Sequence, residues 1–151
     1  MKICYAASSG GHLDELMMLY PLMKPDRDFI LTEKTSYSPD TKKMKTYLAD
    51  TLNRKDVFFF LKFTRLVLLC HKILKREKPD IIVATGALMT FPICFLGKAM
   101  GKKIIFIESI SRISTPTLTG KWVARFSDVF IVQWESMAEV YPDAVFGGGI
   151  Y

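Results

Sequence analysis

Short apolar strands that alternate with helical stretches predict a doubly wound, parallel α/β sheet. Three observations lead there. The chain has 151 residues, a usual length for one domain around one hydrophobic core, so 1–151 is read as a single domain. Half of the residues are apolar and 24% are charged, the balance of a packed fold and not of a disordered chain. The first apolar run ends in a glycine turn that opens a helix, and later runs at 81–84, 103–107 and 129–132 each give way to small or polar residues.

Residues 2–7 are short, apolar and followed by small side chains, which predicts a buried first strand. Ser8-Ser9-Gly10-Gly11-His12 is then a tight loop. Leu13, Leu16, Met17, Leu19, Tyr20 and Met23 recur at helical spacing, and Pro25 closes that helix. Phe29-Ile30-Leu31-Thr32 predicts a second strand, and the polar stretch 33–56 an exposed excursion. A helix of about 20 residues over 57–78 ends at Lys78-Pro79-Asp80. The strand Ile81-Ile82-Val83-Ala84 and the loop Thr85-Gly86-Ala87 follow. Residues 90–100 predict a buried helix with Pro92 near its start, where proline costs least, and Gly101 where a left-handed cap is wanted. A strand at 103–107, the loop Glu108-Ser109-Ile110-Ser111-Arg112, a helix at 118–126, a strand at 129–132 and a helix at 135–141 complete the series. Gly147-Gly148-Gly149-Ile150-Tyr151 is a short tail.

The opening residues lack the long apolar core and cleavage site of a signal peptide. The apolar run 57–73 is broken by Lys62, Thr64, Arg65, His71 and Lys72, which a spanning helix of about 20 apolar residues would not carry. Cys4, Cys70 and Cys94 are odd in number, far apart and set among apolar neighbours. They fit reduced core thiols better than a disulfide framework or a zinc site, so a cytosolic compartment is expected, with no metal and no cofactor.

Segment 57–78 holds Lys62, Arg65, Lys72, Lys75, Arg76 and Lys78 against Glu77 alone, nearly the whole of the formal net charge of +6. Such charge beside apolar side chains suits nucleic acid, an anionic membrane or an acidic partner. The absence of any nucleic-acid readout motif argues against the first. Phe58, Phe59, Lys62 and Arg65 mark a candidate membrane contact, the other reading being a core-facing helix with a solvated basic face.

Ligands of doubly wound sheets collect beyond the carboxyl ends of the strands, so loops 8–12, 85–87 and 108–112 are expected around one cleft. Ser9, Gly10 and Gly11 open a helix, where bare backbone N–H groups suit phosphate. A glycine turn also meets purely structural needs, and Asp14 and Glu15 already complement the helix dipole. His12 is placed to exchange a proton, to hold a phosphate, or to serve as a solvated cap. His71 reads as surface or packing. Glu108 is expected at the cleft rim, accepting from sugar hydroxyls, with Arg112 binding an anion; alternatively the two form an ion pair. Gln133 and Trp134 add an amide and an aromatic face.

Taken together, Ser8-Ser9-Gly10-Gly11-His12-Leu13, Thr85-Gly86, Ile107-Glu108-Ser109-Ile110-Ser111-Arg112, Leu118-Thr119-Gly120-Lys121 and Phe130-Ile131-Val132-Gln133-Trp134 resemble a known family in the same order. It is the membrane-associated, acceptor-side subunit of the two-subunit UDP-GlcNAc transferase of lipid-linked oligosaccharide synthesis, in the form of its bacterial relatives of capsule and exopolysaccharide synthesis. A more distant likeness is to the amino-terminal half of the peptidoglycan lipid I N-acetylglucosaminyltransferase, whose glycine loop and histidine match Gly10, Gly11 and His12 and whose glutamate after a strand matches Glu108.

The resemblance implies the Rossmann-like amino-terminal half of a GT-B glycosyltransferase. Such a half handles a lipid-diphosphate acceptor while a partner subunit binds the UDP-sugar, and alone it is inactive or nearly so. It implies His12 and Glu108 as catalytic residues, with Ser9, Gly10, Gly11, Thr85, Gly86 and Arg112 binding acceptor and phosphate. The tail lies where a single-chain enzyme would cross to its other domain, so Gly148, Gly149, Ile150 and Tyr151 are expected at the partner interface. A peripheral position on the inner face of the cytoplasmic membrane follows from the same likeness. The other function the pattern allows is a non-catalytic scaffold that localises and activates a partner glycosyltransferase.

Overall fold

The computed structural model describes residues 1–35 and 40–150; Tyr151, expected at the partner interface, lies outside the described residues. Seven parallel strands form one sheet in the order β3-β2-β1-β4-β5-β6-β7. They are β1 (Ile3–Ala7), β2 (Phe29–Glu33), β3 (Lys45–Ala49), β4 (Ile81–Gly86), β5 (Lys103–Ile107), β6 (Val129–Val132) and β7 (Val145–Phe146). The chain builds outward from β1 to β3, then returns to lay β4 on the other edge of β1. That reversal places a crevice at the carboxyl ends of β1 and β4.

Side chains alternate across a strand, so each strand supplies two layers. Cys4, Ala6, Phe29, Leu31, Ile82, Ala84, Ile104 and Phe106 face α2 (Phe59–Glu77), α3 (Thr90–Ala99) and α4 (Leu118–Val123). Tyr5, Ala7, Ile30, Val83 and Ile107 face α1 (Gly11–Met17), which brings Leu13, Leu16 and Met17. α3 lies against the sheet because residue 97 has no side chain: a Cβ on Gly97 would sit 2.2 Å from Ile82 Cδ1. Gly101 adopts the expected left-handed cap, with φ 75°.

Four expectations are corrected. The first helix ends at Met17 and a 3-10 turn at Tyr20–Leu22 follows, because Pro21 has no N–H to donate and its ring would clash with the carbonyl four residues back, that of Met17. Within the polar stretch 33–56, Lys45–Ala49 is not an excursion but strand β3, in register with β2 from Phe29↔Lys45 to Glu33↔Ala49. It is an edge strand whose lysine and Tyr47 serve the buried Glu77: Lys45 Nζ lies 2.7 Å from Glu77 Oε1, and Lys2 Nζ and the Tyr47 hydroxyl donate to the same carboxylate. The helix at 118–126 stops at Val123, and the one at 135–141 is a 3-10 turn at Glu135–Ala138. The short strand β7 at Val145–Phe146 directly precedes the tail glycines.

Cys4, Cys70 and Cys94 are buried free thiols in the layer under α2 and α3, and burial pushes the Cys70 thiol up to about 12. Among the described residues no helix is long and apolar enough to cross a membrane.

Candidate functional site

The first loop and the end of β4 are bonded into one wall. Ser8 N–H donates to the Gly86 carbonyl (2.7 Å), Ala87 N–H to Ser8 Oγ (2.8 Å), and Thr85 Oγ1 to the His12 carbonyl (2.8 Å). The His12 ring lies over Gly86, where a Cβ would stand 3.1 Å from its Cε1, and Gly86 has φ 105°. Only glycine meets both demands. Gly10 also needs its freedom, with φ 79°. Gly11 does not: its φ is ordinary and a Cβ there would meet nothing within 4 Å.

The expected phosphate ligands are therefore unequal. Gly10 and Gly11 are exposed and have open space above them. Thr85 is buried and its hydroxyl is committed to His12. Ser9 directs its N–H and hydroxyl to Glu33 Oε2 at 3.3 and 3.4 Å. Beside this wall a hollow of about 210 Å³ is lined by Ser8, Glu33, Leu52, Arg54 and Leu88, a cation the sequence pattern did not single out.

Glu15 was missed as well. It was read as a complement to the helix dipole, yet it is 1% exposed. Its Oε1 accepts Ile110 N–H (2.9 Å) and Gln133 Nε2–H. Gln133 Nε2 also donates to the Glu108 carbonyl, and Gln133 Oε1 accepts Ile150 N–H, each at 2.9 Å. Ile150 is accordingly half-buried. One network thus joins α1, the loop after β5, the end of β6 and the tail. His12 Nδ1, buried and without a hydrogen bond among the described residues, lies 3.9 Å from Glu15 Oε2. The readable signal was spacing, since residues three apart share a helix face.

Glu108 does not stand at the rim. It is 2% exposed, and Ser109 N–H (3.1 Å), Thr117 N–H (3.2 Å), Thr117 Oγ1–H (2.9 Å) and Tyr141 O–H (2.8 Å) all donate to it. Thr117 in turn caps α4, its Oγ1 accepting Gly120 N–H at 2.8 Å. A Cβ on Gly120 would fall 2.1 Å from Glu108 Oε2, so the glycine of Leu118-Thr119-Gly120-Lys121 makes room for this carboxylate. Burial first, and then the Glu108 charge, pushes the Tyr141 phenol well above its usual range. Glu108 is filled from within the protein, and the alternative of an ion pair with the exposed Arg112 is not realised among the described residues. Trp134 Nε1 donates to the Ile110 carbonyl (2.6 Å), bracing the same loop.

Away from the cleft, α2 buries Leu66, Cys70, Ile73 and Leu74. Its first turns stand clear, with Phe58 63% and Phe60 82% exposed and Phe59 half-buried. Arg65 is exposed, while Lys62 pairs with Asp56 at 2.6 Å. A second apolar surface, unread in the sequence, groups Phe91, Phe95, Trp122 and Phe126 between α3 and α4 beside Arg125. Among the described residues no group of His, Cys, Asp and Glu side chains is placed to hold a metal ion.

The sequence model of the family described as "Oligosaccharide biosynthesis protein Alg14 like" matches residues 3–150. The chain is 28% identical over 181 aligned positions to the UDP-N-acetylglucosamine transferase subunit ALG14 of Homo sapiens, spanning 99% of this chain and 83% of that protein. It is 30% identical to the subunit of the same name from Yarrowia lipolytica, spanning 97% of this chain and 80% of that one. A UDP-N-acetylglucosamine–N-acetylmuramyl-(pentapeptide) pyrophosphoryl-undecaprenol N-acetylglucosamine transferase of Staphylococcus aureus is 30% identical over 112 residues, 74% of this chain but 30% of the longer enzyme. Among solved structures, Acinetobacter baumannii MurG superposes with a TM-score of 0.71 at 13% identity, covering 87% of this chain and 40% of that one. Staphylococcus aureus MnaA with UDP gives 0.73 at 12% identity, covering 99% and 45%. At such identities the likeness concerns the fold: a Rossmann-like sheet that matches the amino-terminal half of the GT-B enzyme MurG.

Proposed function

The chain belongs to the Alg14-like family of oligosaccharide biosynthesis proteins, and from that premise we propose that it is the acceptor-binding, membrane-recruiting subunit of a heteromeric inverting glycosyltransferase. Its acceptor is a lipid-diphosphate-linked sugar, and a partner subunit holds the UDP-sugar. The observation that carries the reading is the wall at the switch point, where His12 lies over Gly86 and the exposed Gly11 is a glycine for which the fold itself has no need. A bare backbone with open space above it admits the close approach of a phosphate. Arg54 lines the hollow beside that wall, Arg112 stands exposed in the loop after β5 to bind an anion, and Glu108 braces the loop and α4 rather than touching the sugar.

A partner is supported by what the sheet leaves open. Among the described residues α1 is the one α-helix on its side of the sheet, and beyond it Val129 and Val145 are exposed. The tail glycines and Ile150 border that side, with Ile150 half-buried in it. Phe58 and Phe60, exposed beside Arg65, support contact with the inner face of the cytoplasmic membrane. Assignment to capsule or exopolysaccharide synthesis rests on the resemblance set out from the sequence. The test is co-expression with the candidate donor subunit and assay of UDP-sugars against a lipid-diphosphate acceptor. Gly11→Val is expected to abolish transfer with the fold intact, and unchanged kinetics would remove the site. Full activity in His12→Ala would favour the scaffold reading.

A further inference from the structure

Burying a carboxylate is costly unless its oxygens are matched by donors. Glu15 is 1% exposed, yet both of its hydrogen bonds, from Ile110 N–H and Gln133 Nε2–H, fall on Oε1. Among the described residues no hydrogen bond reaches Oε2. The atom that faces it is His12 Nδ1, 3.9 Å away, itself buried and, among the described residues, without a hydrogen bond. Across one turn of α1 a buried ring nitrogen without a partner confronts a carboxylate oxygen that can accept its proton, and a shift of about 1 Å brings them to hydrogen-bond distance. Among the described residues no other group competes: Gly86 packs on the imidazole without a side chain, and the Gln133 amide is already spent on Glu15 Oε1, the Glu108 carbonyl and Ile150.

We propose that Glu15 is the positioning residue of His12. Its Oε2 takes the Nδ1–H, which fixes the ring and leaves the lone pair on Nε2. This rests on the reading of His12 as the group that meets the acceptor, and it decides between proton exchange and phosphate binding, two of the roles the sequence left open. An Nδ1–H imidazole offers an acceptor at Nε2 and so serves as a general base; a phosphate ligand would need Nε2–H. In the transfer step the acceptor hydroxyl oxygen bonds to the anomeric carbon of the donor sugar. The bond from that carbon to the diphosphate oxygen breaks, with the electron pair leaving on UDP. The hydroxyl proton goes to His12 Nε2, and Glu15 stabilises the imidazolium that results. Gln133 holds the carboxylate in place and is itself tied to the tail through Ile150 N–H.

The test is proton–nitrogen correlation spectroscopy of the full chain labelled with 15N-histidine at about pH 8.5, well above the ordinary imidazole titration. The sequence has two histidines, so His71→Gln assigns the His12 signals. Wild type is expected to carry its proton on Nδ1. In Glu15→Gln the side-chain amide faces Nδ1 as a donor, and the proton is expected on Nε2. With the partner subunit present, that variant is expected to lose about 100-fold or more in kcat while KM stays within about threefold. An Nε2–H tautomer in the wild type overturns the proposal without any variant, as does an unchanged tautomer in a folded Glu15→Gln. Full transfer by His12→Ala overturns instead the acceptor-site reading on which the step depends.

Discussion

Glu108→Gln tests whether this carboxylate supports the fold or touches the substrate. The change keeps the side-chain shape but turns one acceptor oxygen into a donor. Oε1 receives Ser109 N–H and Thr117 Oγ1–H, and Oε2 receives Thr117 N–H and Tyr141 O–H. The two hydroxyls can rotate away from a new amide; a backbone N–H cannot. Whichever oxygen is replaced, one backbone donor is left facing another donor in a buried site. A hydrogen bond to a charged group contributes about 1.5–3 kcal/mol, and an orphaned buried donor costs about 1–3 kcal/mol. These overlap, so a net loss of about 3 kcal/mol is expected. For a chain of this size 1 kcal/mol moves Tm by about 2–4 °C, which puts the shift at about 6–12 °C. Thermal melting followed by far-UV circular dichroism measures it. A Tm within about 2 °C of wild type, together with a transfer rate more than about tenfold lower, would refute the bracing role and return the carboxylate to the acceptor.

Gly86→Ala strains a residue at φ 105° and drives a methyl to 3.1 Å from the His12 ring; it is expected to cost about 1–2 kcal/mol in urea unfolding and to displace the imidazole enough to lower transfer more than tenfold. Burial pushes the Glu77 carboxyl up, but hydrogen bonds from Lys2, Lys45 and Tyr47 outweigh it and hold the group at about 2, below the ordinary 4.5. Its contribution is therefore complete above about pH 4.5 and is lost as pH falls toward 2. Urea midpoints between pH 6 and 2.5 are expected to fall less steeply in Glu77→Gln than in wild type, and parallel curves would count against this account. Phe58→Ser with Phe60→Ser is expected to abolish flotation with vesicles containing anionic lipid; if flotation instead follows Phe95→Ser with Trp122→Ser, the membrane contact lies between α3 and α4.

The strands β5 and β6 were legible because each appears as an apolar run bounded by polar residues, and both begin and end where the pattern placed them. β3 was hidden because an edge strand buries little: Ala49, and Met44 just before it, face inward while Lys45 and Leu48 are exposed. The placement of Glu108 could have been read from strand parity. Its N–H still pairs with the Ile131 carbonyl, so its side chain falls on the same face as Phe106, the side that α4 covers. Of Glu15, the pairing with His12 was readable from spacing but the burial was not. A carboxylate in the opening turns of a helix is explained by the dipole alone, and no local pattern shows that its partner Gln133 stands 118 residues away.

The chain reversal around β1 also sets the order in which the molecule can be assembled during synthesis. β1 acquires its first neighbour when the chain reaches Glu33, but its second, β4, ends at Gly86. At about 5–20 residues per second, one edge of the central strand waits about 3–10 s for its cover. Through that interval the newborn chain carries an open row of backbone N–H and C=O groups flanked by Cys4 and Ala6, a template for pairing with a neighbouring nascent chain. Nascent chains stalled with β4 still inside the ribosome are expected to remain open to protease throughout residues 1–33, and those stalled after its release to be protected there; protection before β4 emerges would show that the first strands stand on their own.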